Sequence, residues 1–345
     1  MTGGRSSERL PHPEEAPKGS SRRTRKPLTL LFPFALVLLG SLRSRLRMRA
    51  KTERLFATLV IVAILAPAAR AANDAPPAPD FAFGAYQRGD YLAAMKEAKK
   101  RIAANPKDAA ALTLIGQLYL EGAGVGRDLS TAMEWFKRGA DAGDKEAAYL
   151  YGAAALNGAG APKNRALARA YLEKAAAQDQ PAALHLLGEI ALENEGAPSD
   201  FGRAYDYFRR AAAKGNADSL YALGVLYKTG RGVPKDEREA AEWFRRGAEL
   251  DFAPAMVEFA VLQFNGVGAP RDRAAAAQWF RKAAAKGNAV AQNRLAHILA
   301  EGLGVEANLA EAREWRDKSR DAGLNDPSLD YLSSASAPAK PNAVK

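Results

Sequence analysis

The feature that most constrains the fold is a repeat of 36 residues, which continues without insertion over 216 residues. One column of this repeat holds glycine or alanine, a second holds a large aromatic residue, and a third is always alanine. The columns are Gly116, Gly152, Gly188, Gly224, Ala260 and Ala296; Trp135, Tyr171, Tyr207, Trp243, Trp279 and Trp315; and Ala132, Ala168, Ala204, Ala240, Ala276 and Ala312. Such a period predicts a solenoid, in which each repeat contacts only its neighbours.

Each repeat is predicted to contain two helices joined by a glycine-containing linker. Small residues in the first and third columns allow the helices to approach closely, and the aromatic column is expected to supply the large buried area. Before the second helix stands an Asp or Asn, the residues that best cap a helix N-terminus: Asp128, Asn164, Asp200, Asp236, Asp272 and Asn308. After it stands a residue that tolerates left-handed geometry: Gly143, Asp179, Gly215, Asp251, Gly287 and Gly323.

The full pattern is A-x-x-x-L-G-x-x-Y-x-x-G-x-G-V-x-x-D-x-x-x-A-x-x-W-x-x-x-A-A-x-x-G, and its best copy runs from Leu220 to Asp251. It resembles the Sel-one-like repeat family, a relative of the tetratricopeptide repeats. The resemblance implies an all-α, right-handed superhelical solenoid of stacked helix–turn–helix repeats. The glycine-rich stretch from Tyr227 to Asp236 is then a repeat linker rather than a phosphate-binding loop. In the third copy Asn194 replaces the first linker glycine, so that loop is expected to differ.

The repeats predict the organisation of the whole chain. A tetratricopeptide-like helix pair at 81–107 caps the N-terminal end, because a terminal unit must present a polar face. Residues 72–80 form a linker, and 324–345 form a tail that is largely disordered after a short helix from Ser328 to Leu332. The six repeats are 108–143, 144–179, 180–215, 216–251, 252–287 and 288–323.

Residues 48–71 have the pattern of a secretory signal peptide. A basic start is followed by an apolar run from Leu55 to Leu65 and by Ala69-Arg70-Ala71, an A-x-A cleavage pattern. We predict export to the periplasm with cleavage near Ala71. Residues 1–47 are interpreted as a spurious or disordered extension with a short apolar run, and Met48 as the true start. A leader that stays uncleaved, and so anchors the chain in the inner membrane, remains the alternative.

The charge distribution argues against nucleic acid as a partner. Of the 50 Lys and Arg residues, 14 lie in residues 1–71 together with only 4 of the 39 Asp and Glu residues. The rest of the chain carries 36 cations and 35 carboxylates, so it lacks a basic footprint. The chain has no cysteine, which excludes disulfides, a thiolate nucleophile, cysteine-ligated metals and a lipoprotein anchor.

The sequence contains no recognisable catalytic motif, so we predict no catalytic residue, no metal site and no cofactor. His185 with Glu189, and His297 with Glu301, are spaced i, i+4, but two ligands make a weak metal site. We therefore predict that the chain is not an enzyme. The alternative that stays open is an envelope enzyme acting on peptidoglycan or β-lactams. Cysteine-rich relatives in the family have been linked to penicillin binding, and this chain has neither the cysteines nor an acylation motif.

The tetratricopeptide-like register implies a concave groove lined by the first helices, with variable side chains at the fifth, ninth, twelfth and thirteenth helix positions. Tyr149, Tyr221 and Phe264 are expected to be exposed anchors, since aromatic residues are enriched at interfaces. The predicted function is a non-enzymatic periplasmic scaffold, adaptor or signalling regulator that binds a protein or peptide there. The alternative is that these columns are merely unconstrained surface. The predicted partner-binding residues are Thr113, Gln117, Tyr149, His185, Glu189, Tyr221, Val225, Lys228, Phe264, Asn293 and His297.

Overall fold

The computed structural model describes residues 80–160, 162–193 and 198–333. Within these ranges the chain forms fourteen α-helices and one 3₁₀ helix, and no strand. The predicted all-helical solenoid is thereby confirmed. The helices are α1 (Phe81–Gln87), α2 (Tyr91–Ala104), α3 (Ala109–Glu121), α4 (Leu129–Asp141), α5 (Lys145–Asn157), α6 (Arg165–Ala176), α7 (Pro181–Glu193), α8 (Phe201–Ala213), α9 (Ala217–Thr229), α10 (Glu237–Glu249), α11 (Ala253–Asn265), α12 (Arg273–Ala285), α13 (Ala289–Glu301) and α14 (Leu309–Asp321), followed by the 3₁₀ helix Pro327–Ser333.

Helices α3 to α14 form six helix–turn–helix units. Each odd-numbered first helix packs on the second helix that follows it, and that second helix packs on the first helix of the next unit. Helices α1 and α2 form a further pair ahead of α3. The core is accordingly a succession of apolar clusters along the chain.

The predicted caps are all confirmed. The Asp or Asn before each second helix accepts a hydrogen bond from a backbone N–H of the first turn. In the linker from Tyr227 to Asp236, the Asp236 carboxylate accepts from the amides of Arg238 at 2.8 Å and Glu239 at 3.1 Å. Second helices end at positive φ, including the non-glycine residues Asp179 (53°) and Asp251 (66°). The Asp236 cap therefore occupies the N–H groups at the start of α10 that an anion would need.

The packing between the two helices of a unit is centred on the glycine column. A Cβ added to Gly224 would lie 2.6 Å from the Phe244 ring, and one added to Gly188 would lie 2.4 Å from the Phe208 ring. The side chains that fill this space are fully buried in the first five units: Phe136, Leu172, Phe208, Phe244 and Phe280. The sixth unit has Arg316 at this position.

The expectation that the Trp135 column forms the main core is wrong. Five of its six members are half-buried, and only Tyr171 is buried. The Trp243 ring is covered on its outer side by the Arg246 guanidinium, 4.5 Å from the ring centroid. Successive residues of a helix point about 100° apart, so only one of two adjacent aromatic residues can point into the neighbouring helix, and here that residue is Phe244.

Several sequence predictions lie outside the described residues: the signal peptide at 48–71, the extension at 1–47, the linker at 72–79, the loop containing Asn194, and the tail from residue 334 onward. Within the described part, the short C-terminal helix is a 3₁₀ helix, Pro327–Ser333, whose Leu329 and Leu332 are buried.

Candidate partner-binding face

The accessible side chains of α3, α5, α7, α9, α11 and α13 form what we call the first-helix face. Side-chain contacts join several of these helices to the next one. The His185 ring and the Ser219 hydroxyl lie 2.9 Å apart, and the Lys228 ammonium lies 2.6 Å from the Glu258 carboxylate. Gln180, which precedes α7, donates to the Glu146 carboxylate at 3.2 Å. The first helices therefore present adjoining surfaces.

At the N-terminal edge of this face, neutral groups hold a carboxylate. The Glu121 oxygens accept hydrogen bonds from the Tyr86 hydroxyl at 2.8 and 2.9 Å and from the Gln117 amide at 2.5 Å. Gln117 is buried, and half-buried Thr113 donates to the Ala109 carbonyl at 2.8 Å. Of the two predicted residues here, Thr113 alone keeps accessible surface.

On α5, Tyr149 is only 8 % exposed, so the expectation that it is an exposed anchor is wrong. Burial raises its pKa to about 12. Burial also raises the pKa of the neighbouring Glu146 carboxyl to about 7. The physical reason is that adjacent first helices lie close enough to cover these positions, as the contact between Glu146 and Gln180 shows.

His185 is also buried, and it is held between helices rather than directed at solvent. Its Nδ1 contacts Ser219, its Nε2 lies 3.8 Å from the Glu189 carboxylate, and its ring centroid lies 5.4 Å from that of Phe208. Burial lowers the pKa of His185 to about 4, which keeps the ring neutral. In the described ranges no group of three or more His, Asp or Glu side chains could hold a metal ion.

Among the predicted binding residues, the accessible apolar side chains lie on α9 and α11. Tyr221, Val225 and Phe264 are half-buried, and Lys228 beside them is exposed. The Tyr221 ring centroid lies 5.6 Å from that of Phe244 and 5.9 Å from that of Phe252, so one side of the ring is packed. Tyr221 is therefore held in place by its neighbours, and it still has surface that a partner can contact.

At the C-terminal edge, the segment after α14 contacts the last first helix. The Asp326 carboxylate accepts from the Asn293 amide at 3.0 Å and lies 2.9 Å from the His297 ring, which also lies 3.5 Å from Glu301. Hydrogen bonds from His297, Ser328 and Asn293 hold the pKa of Asp326 well below its usual range. Asn293 and His297 are thus engaged by the chain's own C-terminal segment.

Arg316, on α14, also binds this segment. Its guanidinium donates to the Leu329 carbonyl at 3.3 Å and to the Ser333 hydroxyl at 2.8 Å. The segment packs where the first helix of a further repeat would follow. Sequence reasoning missed this role, although the replacement of an apolar residue by arginine at one repeat position was visible.

Six stacked helix–turn–helix units with an adjoining, variable first-helix face define the helical repeat class of proteins. The Sel1 repeat pattern matches six consecutive segments, residues 109–144, 145–180, 181–216, 217–252, 253–288 and 289–324, which make up more than half of the chain. The chain belongs to the Sel1 repeat family, as the sequence resemblance predicted. Sel1 repeat proteins generally act as protein–protein interaction scaffolds, and the family is typically non-catalytic.

Solved structures support the fold. The chain is 31 % identical to a Sel1 repeat protein from Oxalobacter formigenes, with a TM-score of 0.65 over 70 % of this chain and 98 % of that one. It is 27 % identical to a protective antigen of uropathogenic Escherichia coli with an SLR fold, with a TM-score of 0.65 over 74 % of this chain. The match spans 56 % of the E. coli protein. The comparison with curated proteins finds no match.

Among the described residues, no helix has the length and apolar character that crossing a membrane requires.

Proposed function

We propose that the chain is a non-enzymatic scaffold that binds a partner protein or peptide along the first-helix face. The observation that carries the proposal is the accessible apolar surface of Tyr221, Val225 and Phe264 on two neighbouring first helices. The glycine or alanine column and the large buried side chain opposite it pack together in the first five repeats, whereas the residues of the first-helix face differ between repeats. This difference is expected when one set of residues maintains the packing between repeats and another set determines which partner binds.

We further propose that the scaffold works in the periplasm after cleavage near Ala71. The support is the basic start, the apolar run and the Ala69-Arg70-Ala71 pattern. Mass spectrometry of the native protein should find an N-terminus near Ala72. A product that retains residues 1–47 would contradict Met48 as the start, and an intact leader from Met48 would favour an adaptor anchored in the inner membrane.

A pull-down from envelope fractions tests the binding face. The variant Tyr221→Ala/Val225→Ala/Phe264→Ala should lose most of the captured partner, because truncating a central anchor typically costs about 2 kcal/mol or more of binding. Its matched control, Tyr207→Ala/Leu167→Ala/Phe201→Ala, truncates similar half-buried side chains on second helices. Circular dichroism must show both variants folded. Retention by the first variant and loss by the control would place binding on the second helices and refute the proposal.

The non-enzymatic part of the proposal has a separate test. The buried, neutral His185 is poorly placed to serve solvent-borne substrates as an acid or base. We expect no turnover of a β-lactam reporter and no stable acyl adduct by mass spectrometry. Either activity would favour the envelope-enzyme alternative.

A further inference from the structure

The near-neutral charge of residues 72–345 hides an uneven distribution between the two kinds of helix. The six first helices carry seven carboxylates and three cations. The six second helices carry twelve carboxylates and eighteen cations. The first helices are therefore net negative and the second helices net positive. The first-helix carboxylates are Glu121, Glu146, Glu189, Glu193, Asp218, Glu258 and Glu301.

Part of the negative charge of this face is offset by cations of the chain, as in the ion pair of Glu193 with Arg165. Glu121 is exposed, and its hydrogen-bond donors, Tyr86 and Gln117, are both neutral. His185, beside Glu189, adds no positive charge because its pKa lies at about 4. Glu146 contributes only partly, since burial raises its pKa to about 7. The direct pairing of Glu258 with Lys228 shows that a primary ammonium fits between two first helices.

We infer that the partner segment on the first-helix face is cationic: an extended stretch of another protein that carries Lys or Arg at regular intervals. The inference rests on the proposed scaffold function and specifies the chemistry of its partner. Charge complementarity of this kind gives specificity and speeds association. The apolar stems of Lys and Arg pack on surfaces such as Tyr221 and Val225 while their charged ends reach the carboxylates.

The spacing of the helices limits the form of the segment. Packed helices lie about 8–10 Å apart, and a polyproline II chain advances about 9 Å in three residues. If successive first helices lie at about this spacing, a segment with a cation at every third position would present one cation to each of them. Glu121, Glu189 and Asp218 lie on α3, α7 and α9, which are three of the six first helices.

Fluorescence anisotropy with the full chain tests the inference. The probes are labelled peptides with four copies of Lys-Pro-Ala, Gln-Pro-Ala or Glu-Pro-Ala, measured at low and high salt. We expect the lysine peptide to bind about tenfold or more tightly than the glutamine peptide at low salt, and the glutamate peptide to bind least. Added salt should reduce the advantage, because exposed charges are screened.

Paired variants locate the charge. Glu121→Gln/Glu189→Gln/Asp218→Asn should bind the lysine peptide about tenfold more weakly, because three attractive charges of modest individual effect are removed. Glu134→Gln/Asp206→Asn/Glu314→Gln changes the net charge equally at exposed second-helix positions and should stay within about twofold of the wild type. The single variant Glu121→Gln, at an exposed position, shows the same direction if the triple variant fails to fold.

The outcomes separate this inference from the scaffold proposal. Equal weakening in both triple variants means that bulk charge attracts the peptide, and it overturns the inference. A glutamine peptide that binds as well as the lysine peptide, and is lost on Tyr221→Ala/Phe264→Ala, overturns the cationic partner but supports the scaffold. Absence of binding by all three peptides overturns the inference, and the envelope pull-down still decides the scaffold proposal.

Discussion

At the scale of single residues, the packing depends on a small side chain facing a large one. A Cβ at Gly224 already falls 2.6 Å from Phe244, so Gly224→Val should destabilise the fold by about 1–3 kcal/mol through overpacking. Urea melts measure the change. Gly126→Val is the control, because a Cβ there meets no atom within 4 Å. Equal midpoints for the two variants would mean that the glycine column is not a packing site.

Two adjacent aromatic residues should differ in their contribution to stability. Phe244 is fully buried, so Phe244→Ala should cost about 3–5 kcal/mol. Trp243 is half-buried and its outer face contacts Arg246, so Trp243→Ala should cost clearly less, about 1–2 kcal/mol. The same urea melts give both values. A larger loss for Trp243→Ala would reverse our assignment of the core column.

Glu146 and His185 should have opposite effects on the pH dependence of stability. The pKa of His185 falls from 6.5 to about 4 on folding, so the unfolded chain binds the proton first and stability is lost as the pH falls from 6.5 to 4. The pKa of Glu146 rises from 4.5 to about 7, so its contribution is present below pH 4.5 and lost as the pH rises to 7.

These opposite slopes should nearly cancel between pH 4.5 and 6.5 in the wild type. Glu146→Gln removes the Glu146 contribution and leaves that of His185. The stability of this variant should therefore increase by roughly 2–3 kcal/mol as the pH rises through this window, at about 1.4 kcal/mol per pH unit. Urea midpoints at several pH values measure it. His185→Gln is the counterpart and should slope the other way. Parallel profiles for wild type and both variants would contradict the two assignments.

At the scale of elements, the caps define where second helices begin. Asp236→Ala removes the acceptor for two backbone amides and should cost about 1 kcal/mol. Asp236→Asn keeps an acceptor and should cost only a few tenths. Thermal melts compare the two. Tight phosphate binding by the wild type would instead support an anion site in the linker from Tyr227 to Asp236.

The boundaries of these elements were predictable because each depends on local chemistry that recurs at the repeat spacing. Asp236 caps α10 through its own side chain, and Asp251 adopts positive φ after the same helix. Which side of a second helix faces the core is decided by the neighbouring helix and not by the local sequence. Trp243 and Phe244 are both large and aromatic, and only the position of Gly224 across the interface selects Phe244 for the core.

The candidate face was predictable in outline, since all eleven proposed residues lie on first helices. Their accessibility was not predictable, because it depends on the neighbouring first helix. Gln117, Tyr149 and His185 are buried. His185 is covered through its contact with Ser219, which stands 34 residues later. A contact at nearly one repeat length cannot be seen within the sequence of a single repeat.

At the scale of the whole described chain, a solenoid must end in a unit that covers its last apolar surface. The 3₁₀ helix Pro327–Ser333 does this with Leu329 and Leu332, both 0 % exposed in the core cluster that includes Leu295 and Phe280. Arg316 donates to the Leu329 carbonyl of this 3₁₀ helix. Asp326, which precedes the 3₁₀ helix, contacts Asn293 and His297. Apolar burial and polar contacts together close the C-terminal end.

Because each repeat contacts only its neighbours, removing the apolar contacts of the 3₁₀ helix should reduce stability mainly in the last repeat. Leu329→Ser/Leu332→Ser should increase amide hydrogen exchange in α13 and α14, while α3 to α7 keep wild-type protection. Tyr331→Ser is the control, because Tyr331 is 50 % exposed and should leave exchange unchanged. Increased exchange throughout α3 to α14 would show that the six repeats unfold as one cooperative unit, and unchanged exchange in α14 would show that the C-terminal segment does not cap the solenoid.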